Sequence, residues 1–330
     1  MTKSRVAAAH AAPVFLDSDG TIDKACSLVA NAGEQSVDLI VFPEVFVPGF
    51  PYWINCYPPV AQLGLNTRYG AESINVPGPE IQRVQAAARA AGTYVVLGIS
   101  EADNGTLYNS QVHIDQNGNL LGTHRKLQPT FAERYIWGQG DGSTLHVFDT
   151  ALGKIGGLAC WEHTMNLARH ALILKGEQIH AASWPSLASL AGFESAYDSQ
   201  VEAMCRNHAI TGQCFVVVAE SPVVQADIDG MEAELGPQDI QKAGGAWSAI
   251  IHPMTHYIAG PHTGSEETLV IGEINLGDIA FLKNFVDAGG HYSRRDVLRL
   301  VVDEEPKVPL ERRHPQEQPL PIPAPAETVG

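Results

Sequence analysis

The feature that most constrains the fold of this 330-residue chain is an alternation of short apolar strand candidates with helix candidates along most of its length. In the first half, residues 6–10, 38–42 and 93–100 have strand character, while residues 21–32 and 79–91 carry apolar side chains at helical spacing. Strands that are apolar throughout are typical of sheets that are covered on both faces. The pattern therefore predicts an α/β protein in which sheets are layered against helices.

The second half of the chain repeats this alternation. Gln116-Asn117-Gly118 separates two further strand candidates and is a strong hairpin signal. Strands are then predicted at 154–159, 179–184, 214–220 and 247–252, followed by 257–259 and 268–274. Helices are predicted at 163–175, 196–211 and 276–285. Because strands of both pairing styles are mixed with helices, the sequence favours helix-covered sheets over an all-β architecture.

The C-terminal end differs from the rest of the sequence. Seven prolines fall within the 25 residues that begin at Pro306. Proline-rich segments of this kind are typically extended or disordered. A chain of this length could hold about two domains of about 150 residues each, but no linker composition precedes the proline-rich end. We therefore expect one catalytic domain over 1–302 and a flexible tail over 303–330.

Charge and composition exclude several classes of partner. The chain has 21 Lys and Arg against 37 Asp and Glu, a formal charge of −16, which opposes binding to nucleic acid. No apolar run approaches the roughly 18 residues of a membrane span, so no membrane association is predicted. The N-terminus lacks a convincing signal peptide, and five cysteines in a chain this long are typical of a reducing compartment. These features predict a cytoplasmic protein with reduced thiols.

One of the five cysteines has a position that suits chemistry. Cys160 lies where the apolar strand 154–159 ends and a helix is predicted to open, and a helix N-terminus favours a thiolate. An ordinary core cysteine is the alternative. Cys26, Cys205 and Cys214 fall within helix or strand patterns and are interpreted as packing residues, as is Cys56 in its aromatic loop.

Charged residues follow two other strands. Glu44 directly follows the strand at 38–42 and has apolar neighbours, so desolvation should raise the pKa of its carboxyl and suit it to general-base catalysis. Lys126 follows the strand at 119–124, and Glu133 comes seven residues later. Taken singly, Lys126 and Glu133 would be interpreted as solvated surface residues.

Together, these segments resemble the nitrilase superfamily of carbon-nitrogen hydrolases. The resemblance rests on Phe-Pro-Glu44, on Arg-Lys126-Leu-x-Pro-Thr followed by Glu133, and on Cys160-Trp-Glu, in this order and over residues 6–300. Further matches point to the true nitrilase branch: Gly138-x-Gly140-Asp141-Gly142-Ser143, Ala182-Ser183-Trp184-Pro185 and Gly290-His291-Tyr292-Ser293-Arg294. The resemblance implies a four-layer α-β-β-α sandwich.

The resemblance also implies roles for the residues that match. Cys160 would be the nucleophile, Glu44 the general base, Lys126 the electrostatic stabiliser and Glu133 a supporting carboxylate, with no cofactor and no metal. The thiol would attack an organic nitrile, and water would then release ammonia and the acid. Homo-oligomers are implied as well, with a dimer as the building block and spiral filaments in some members.

Three other interpretations remain open from the sequence. Hydrogen cyanide is the alternative substrate, since cyanide hydratases and dihydratases resemble this branch closely. A Cys-His hydrolase would need a histidine base that the sequence does not nominate, and a non-catalytic scaffold would not need four intact catalytic positions. His163 stands where many nitrilases have Asn, which puts the substrate in doubt. A zinc site lacks any paired ligand motif.

Four aromatic residues are candidates for the wall of a substrate pocket. Tyr52 and Trp53 lie in an aromatic loop after Glu44, Trp161 follows Cys160, and Trp184 ends the strand at 179–184. Binding pockets for small molecules are mostly lined by apolar and aromatic side chains. Core packing of the same four residues is the alternative.

Overall fold

Strand pairing was determined from a computed structural model that describes residues 3–194 and 196–307. Within these residues the strands form two six-stranded sheets. The first sheet contains β1 (Lys3–His10), β2 (Leu39–Val41), β3 (Tyr94–Asp103), β4 (Thr106–Ile114), β5 (Leu120–Arg125) and β12 (Thr268–Asn275), in the spatial order β12-β1-β2-β3-β4-β5. The second contains β6 (Phe148–Thr150), β7 (Gly153–Ala159), β8 (Ile179–Pro185), β9 (Phe215–Ser221), β10 (Trp247–Ile251) and β11 (Tyr257–Thr263), in the order β11-β10-β9-β8-β7-β6.

Seven α-helices lie within the described residues, and some of them cover the outer faces of the two sheets. They are α1 (Ser18–Glu34), α2 (Leu63–Glu72), α3 (Pro79–Ala91), α4 (Asn166–Leu174), α5 (Tyr197–Gly212), α6 (Gln225–Leu235) and α7 (Gly277–Lys283). α1 and α3 pack their apolar faces on the first sheet, and α5 packs on the second. This arrangement confirms the four-layer α-β-β-α sandwich.

The apolar strands are buried on both faces, as their composition predicts. In β1, Ala7 and Ala9 face the helices, whereas Val6 and Ala8 face the second sheet. Successive side chains of a strand point to opposite faces, so a strand between two layers must be apolar at every position. The two sheets therefore share one inner core.

Four elements differ from the sequence-based expectation, one of them the short β6, which was not predicted. The predicted helix over 163–175 is a 3-10 turn at Cys160–Thr164 followed by the shorter α4. α2 and α6 were not predicted, since their apolar residues are few and their buried faces are narrow, with two and three buried positions respectively. Each packs against loops near the site, so tertiary contacts stabilise it more than its own pattern does.

The described part of the C-terminal segment contacts the domain. Leu300 and Val302 pack on a small cluster that contains Leu145, and the backbone N–H of Lys307 donates to Asp141 at 2.8 Å. Residues 308–330 of the predicted proline-rich tail lie outside the described residues. Among the helices of the described chain, none combines the length and the apolar character that crossing a membrane requires.

Candidate active site

Three strand ends bring the candidate catalytic residues together. Glu44 lies just beyond β2, Lys126 follows β5 directly and Cys160 follows β7 directly. The Cys160 sulfur and one carboxylate oxygen each of Glu44 and Glu133 lie within 4.8 Å of one another. Residues that are 34 to 116 positions apart in the sequence therefore converge on one sulfur atom.

The Lys126 ammonium joins the two carboxylates. Its Nζ atom lies 2.7 Å from Oε1 of Glu44 and 2.7 Å from Oε2 of Glu133, and all three residues are buried. Burial alone would lower the pKa of Lys126, but the carboxylates of Glu133 and Glu44 raise it well above its usual value. The Glu44–Glu133–Cys160 set could in principle hold a metal ion, but here the ammonium lies between both carboxylates and supplies the positive charge.

Glu44 has the features of a general base. Burial raises the pKa of its carboxyl to about 7, although Lys126 and Asn109 partly oppose this shift. Its Oε1 accepts hydrogen bonds from Lys126 and from the Asn109 amide at 2.6 Å. Its Oε2 is buried and has no hydrogen-bond partner within residues 3–194 and 196–307. One oxygen is thus held in place while the other is free to take a proton.

The Glu133 carboxylate is held by Lys126 and by the backbone of its own turn. Its Oε2 accepts from Lys126 and from the backbone N–H of Thr130 at 2.8 Å. The carboxylate thereby closes its own 3-10 turn, Phe131–Tyr135, as a capping group. Although it would be taken for a surface residue from sequence alone, Glu133 is only 4% exposed.

Cys160 is a buried thiol at a strained backbone position. Its φ of +51° lies in the left-handed region, which costs a residue with a side chain about 1–3 kcal/mol. Burial and the neighbouring Glu44 raise the pKa of the thiol well above its usual value, with Lys126 opposing them. Cys160 opens a five-residue 3-10 turn rather than the predicted α-helix, and the raised pKa favours the neutral thiol at rest.

Glu162 connects the two halves of the site. Its carboxylate accepts from the backbone N–H of Leu127 at 2.8 Å and from that of Ala159 at 3.0 Å, one residue beyond Lys126 and one before Cys160. His124 also lies 3.0 Å from the same carboxylate. Burial alone would raise the pKa of Glu162, but His124 and the two N–H donors lower it below its usual value. Glu162 thus fixes the Lys126 loop against the Cys160 turn.

Backbone strain is concentrated around these residues. Val45 (φ +46°) follows Glu44, and Phe131 (φ +44°) begins the turn that carries Glu133. A β-branched residue such as Val rarely adopts this conformation. At Gly98 an added Cβ would lie 2.1 Å from the Pro43 carbonyl oxygen, so only glycine allows the segment before Glu44 to cross β3 so closely.

An apolar cavity of about 560 Å³ adjoins the site. Glu133 and Trp161 line it, and the other lining residues include Phe50, Ile54, Leu187, Leu190 and Phe193. Because Glu133 belongs to the acid cluster and Trp161 follows Cys160, the cavity leads towards the sulfur. Its volume lies within the range of small-molecule sites, about 300–1,000 Å³.

Of the four aromatic residues predicted to line a pocket, only Trp161 lines this cavity. Trp53 is 1% exposed and donates to Asn66, and Tyr52 packs beside it in the same apolar cluster. Trp184 is fully buried on the outer face of β8, where it stacks on His163 with ring centroids 4.9 Å apart. Strand alternation sends the Trp184 side chain towards the helices, so it packs in the core.

Several polar residues of the site were not singled out from the sequence. Asn109 orients Glu44, and it belongs to a run of three polar residues, Asn109-Ser110-Gln111, inside the otherwise apolar β4. Such a run on a buried strand could have signalled a polar site, because buried polar groups need partners. The pairing of Glu162 with His124 had no comparable signal, since the two lie 38 residues apart.

Comparisons with known proteins identify the family to which this chain is similar. A family model described as carbon-nitrogen hydrolase matches residues 5–284. The chain is 38% identical over 308 residues to a nitrilase from Paraburkholderia phymatum, covering 93% of this chain and 88% of that protein. It is 37% identical to an arylacetone-specific nitrilase from Alcaligenes faecalis (94% and 87% covered) and to an aliphatic nitrilase from Rhodococcus rhodochrous (93% and 84% covered).

Solved structures show the same fold at lower sequence identity. A carbon-nitrogen hydrolase from Helicobacter pylori superposes with a TM-score of 0.71 at 18% identity, covering 87% of this chain and 94% of that one. An amidase from Nesterenkonia sp. superposes with a TM-score of 0.60 at 18% identity, covering 86% and 96%. These likenesses concern the architecture of the sandwich.

Proposed function

This chain belongs to the carbon-nitrogen hydrolase family, and on that premise we propose that it is a nitrilase that converts an organic nitrile and two waters into a carboxylic acid and ammonia. The observation that most directly supports this proposal is that the Cys160 sulfur lies within 4.8 Å of carboxylate oxygens of Glu44 and Glu133. Similarity to nitrilases of 37–38% over more than nine-tenths of the chain supports the same reaction.

The first half of the reaction forms a covalent intermediate. The Cys160 sulfur attacks the nitrile carbon while the thiol proton moves to the free Oε2 of Glu44. A general base works best when its pKa lies near the working pH, and that of Glu44 is about 7. Glu44 then delivers the proton to the nitrogen, which gives a thioimidate. The Lys126 ammonium offsets the negative charge that develops on that nitrogen.

The second half releases both products. Glu44, again ionised, takes a proton from a water molecule that adds to the thioimidate carbon. Glu44 passes this proton to the nitrogen, and the hydroxyl proton of the tetrahedral intermediate follows it through Glu44, so that the nitrogen leaves as ammonia when the carbon-nitrogen bond breaks and a thioester remains. A second water hydrolyses the thioester to the carboxylic acid and returns the proton to sulfur. Glu133 holds Lys126 in position through both halves.

The cavity favours an organic nitrile over hydrogen cyanide as substrate. A volume of about 560 Å³ with mostly apolar walls suits a hydrocarbon substituent on the nitrile carbon. Hydrogen cyanide has no substituent and would leave these walls without a contact. We therefore place organic nitriles of hydrocarbon character first among the substrates.

Two measurements test this function. Mass spectrometry of enzyme quenched during turnover of phenylacetonitrile should show an adduct on the peptide that contains Cys160, and Cys160→Ala should lose both the adduct and ammonia release. Cys205→Ala is the matched control and should retain both. Full turnover by Cys160→Ala would refute the mechanism, and faster consumption of cyanide, to formamide or to formate and ammonia, than of every organic nitrile would refute the substrate class.

The proposal extends to location and assembly. All five cysteines have free thiols in the structure, which supports a reducing, cytoplasmic location. Homo-oligomerisation is proposed on the resemblance to the family alone. Light scattering coupled to size-exclusion chromatography would test it, and a monomeric mass at micromolar concentration would overturn it.

A further inference from the structure

A second buried polar cluster lies behind Cys160, on the side away from Glu44 and Lys126 in the hydrogen-bond network. It consists of His163, His180, Glu177 and His208, which come from the Cys160 turn, β8, the loop before β8 and α5. Each of these residues is at most 2% exposed. The mechanism above uses none of them, and burying four polar side chains together is costly unless all are hydrogen-bonded.

The four side chains form one continuous chain of contacts that ends on the nucleophile's own backbone. Nδ1 of His163 lies 2.7 Å from the Cys160 carbonyl oxygen, and Nε2 of His163 lies 2.9 Å from Nε2 of His180. Nδ1 of His180 lies 2.7 Å from Oε1 of Glu177, and Oε2 of Glu177 lies 2.7 Å from Nε2 of His208. Nδ1 of His208 is buried and has no partner in the described part of the chain.

A count of protons follows from these four contacts. A hydrogen bond needs one proton, so four contacts need four protons. Three neutral histidines carry one each and an ionised glutamate carries none, which gives only three. The cluster must therefore hold one additional proton, shared between His180 and Glu177, and its net charge is zero.

The position of that proton fixes every tautomer in the chain. The Cys160 carbonyl can only accept, so His163 carries its proton on Nδ1 and must accept at Nε2 from His180. His180 then carries two protons and donates the second to Glu177. The pKa of Glu177 supports this assignment, because burial alone would raise it but His180 and His208 lower it to about 2. Burial lowers the pKa of His208 to about 4 and that of His163 well below its usual value, so both are neutral.

We propose that this cluster is a positioning device for the nucleophile: its extra proton locks His163 in the tautomer that donates to the Cys160 carbonyl and so holds the left-handed backbone conformation of Cys160. His163 is the positioning residue, and Trp184, stacked on its ring, restrains it further. Loss of the extra proton leaves two lone pairs facing each other at one contact, and His163 is then free to change tautomer and release Cys160. The proposal rests on the proposed role of Cys160 as nucleophile.

Other charged groups near the cluster bear on its titration. On α4, Arg169 lowers the pKa values of both His163 and His208. Cys214, just before β9, is a buried thiol whose raised pKa keeps it neutral beside Glu177. The charge of Arg169 thus helps to keep His163 and His208 neutral, and by the count of hydrogen bonds the additional proton lies between His180 and Glu177.

A single substitution separates this proposal from a general packing role. In Glu177→Gln the amide N–H can donate to Nδ1 of His180 while the amide oxygen accepts from His208. All four contacts are then hydrogen bonds between neutral groups. The fourth proton is that of the amide N–H, which is not lost as the pH rises. Glu177→Leu removes both contacts, and Glu34→Gln on the exposed face of α1 is the matched control.

Nitrogen-15 NMR of histidine-labelled protein counts the protonated rings without reference to turnover. At pH 8, wild type should contain one more buried imidazolium than Glu177→Gln. The proposal is overturned if the two proteins contain the same number. This readout stands even if Cys160 attacks a different substrate, so its failure is distinct from failure of the proposed function.

Kinetics test the link to Cys160. At pH 7, Glu177→Gln should have the same kcat as wild type. At alkaline pH its kcat should fall at a higher pH than that of wild type, whereas the dependence of kcat on pH should be the same in Glu34→Gln and wild type. Misplacing a reacting group by about 1 Å can cost about 10²-fold in rate. Glu177→Leu and His163→Ala should therefore lose about 10- to 100-fold in kcat with little change in KM, and His163→Asn, which restores a donor near Nδ1, should recover part of it. Equal losses in Glu177→Gln and Glu177→Leu, or equal losses in the two His163 variants, would overturn the proposal.

Discussion

Replacing Lys126 by methionine removes the only positive charge that touches either carboxylate of the site in the described chain, while it keeps the length of the side chain. In wild type the ammonium lies 2.7 Å from both Glu44 and Glu133. In Lys126→Met the two buried carboxylates face each other without it. We expect a lower free energy of unfolding and a rate loss of about 10²–10³-fold, the usual cost of removing one electrostatic stabiliser of a transition state.

The expected magnitude follows from charge, distance and burial. Two ionised carboxylates 4.8 Å apart, the outer limit of their separation here, repel by about 3.5 kcal/mol at an effective dielectric constant of 20. Removing one partner of a buried ion pair typically costs about 3–5 kcal/mol. Without the ammonium, the pKa of Glu44 rises above its wild-type value of about 7, so the carboxyl stays protonated at higher pH and the repulsion is relieved. The stability difference from wild type should therefore grow above pH 7, by up to about 1.4 kcal/mol per pH unit.

Urea unfolding at pH 6, 7 and 8 measures this dependence. The double variant Lys126→Met/Glu133→Gln should recover much of the loss, because it removes the repulsion. Lys3→Met is the matched control: its partner Glu273 is 2.6 Å away, but both side chains are more than half exposed, so the free energy of unfolding should be almost unchanged. A pH-independent loss in Lys126→Met, or no recovery in the double variant, would refute the electrostatic reasoning.

Three further predictions concern the described surroundings of the site. Burial, reinforced by Asp198, raises the pKa of Glu220 well above its usual value, so the free energy of unfolding of wild type falls as pH rises from about 4.3 through the folded pKa. In urea unfolding at pH 8, Glu220→Gln should have a free energy of unfolding about 1–3 kcal/mol higher than wild type, and it should not show this fall with pH. Glu162→Gln should lower the free energy of unfolding by about 1.5–3 kcal/mol at pH 6. Wild type should lose stability below pH about 4.3, because the pKa of Glu162 is lowered, and above pH about 6.5, because Glu162 raises the pKa of His124. The variant should show neither loss, and a pH dependence identical to that of wild type would contradict this. Ala191→Trp, at the exposed edge of the cavity, should lower kcat/KM for phenylacetonitrile more than for acetonitrile, whereas Ala90→Trp on α3 should change neither; equal effects on both nitriles would argue against this cavity as the substrate site.

The layered fold was predictable because its strands are buried on both faces. Segments such as β1, β8 and β9 contain apolar runs whose side chains are buried on both faces, and these runs are visible in the sequence without any partner. Short elements that depend on tertiary contacts were not predictable. α2 and α6 bury few side chains, and β6 has three residues that gain their structure from pairing with β7.

The candidate catalytic residues could be selected from motifs, but their environment could not be predicted. Lys126 and Glu133 would be surface residues by their chemistry, and only the convergence of strand ends makes them buried partners. Trp184 illustrates the opposite failure, because its position beside the site suggested a pocket wall while strand alternation turns its side chain towards α5. Sequence spacing gives order along the chain, whereas the facing direction of a side chain depends on register and layer.

Burial also explains why Glu44, and not Glu133, would take the proton, since the Glu44 side chain is fully buried whereas that of Glu133 is 6% exposed. Both carboxylates contact Lys126, but the Oε2 of Glu133 that does so also accepts from the Thr130 backbone, and this closes its own turn. The Oε1 of Glu44 accepts from Lys126 and Asn109, which leaves Oε2 buried and free. A buried free oxygen raises the cost of the ionised state, and this cost is what brings the pKa of Glu44 to about 7.

The neighbouring ion pairs compensate the charges of the other carboxylates near the sulfur. Glu162 is paired with His124 and Glu177 with His180, so neither adds an uncompensated charge near the sulfur. Lys126 also offsets the charge of Glu133, so that among these four carboxylates Glu44 is the one whose protonation state can change at little cost. Since thiolate formation would otherwise place a further negative charge in a buried acidic site, the thiol can ionise only as its proton moves to Glu44. The requirement for concerted proton transfer thus follows from the charge balance of the whole site, and Cys160 needs no permanently lowered pKa.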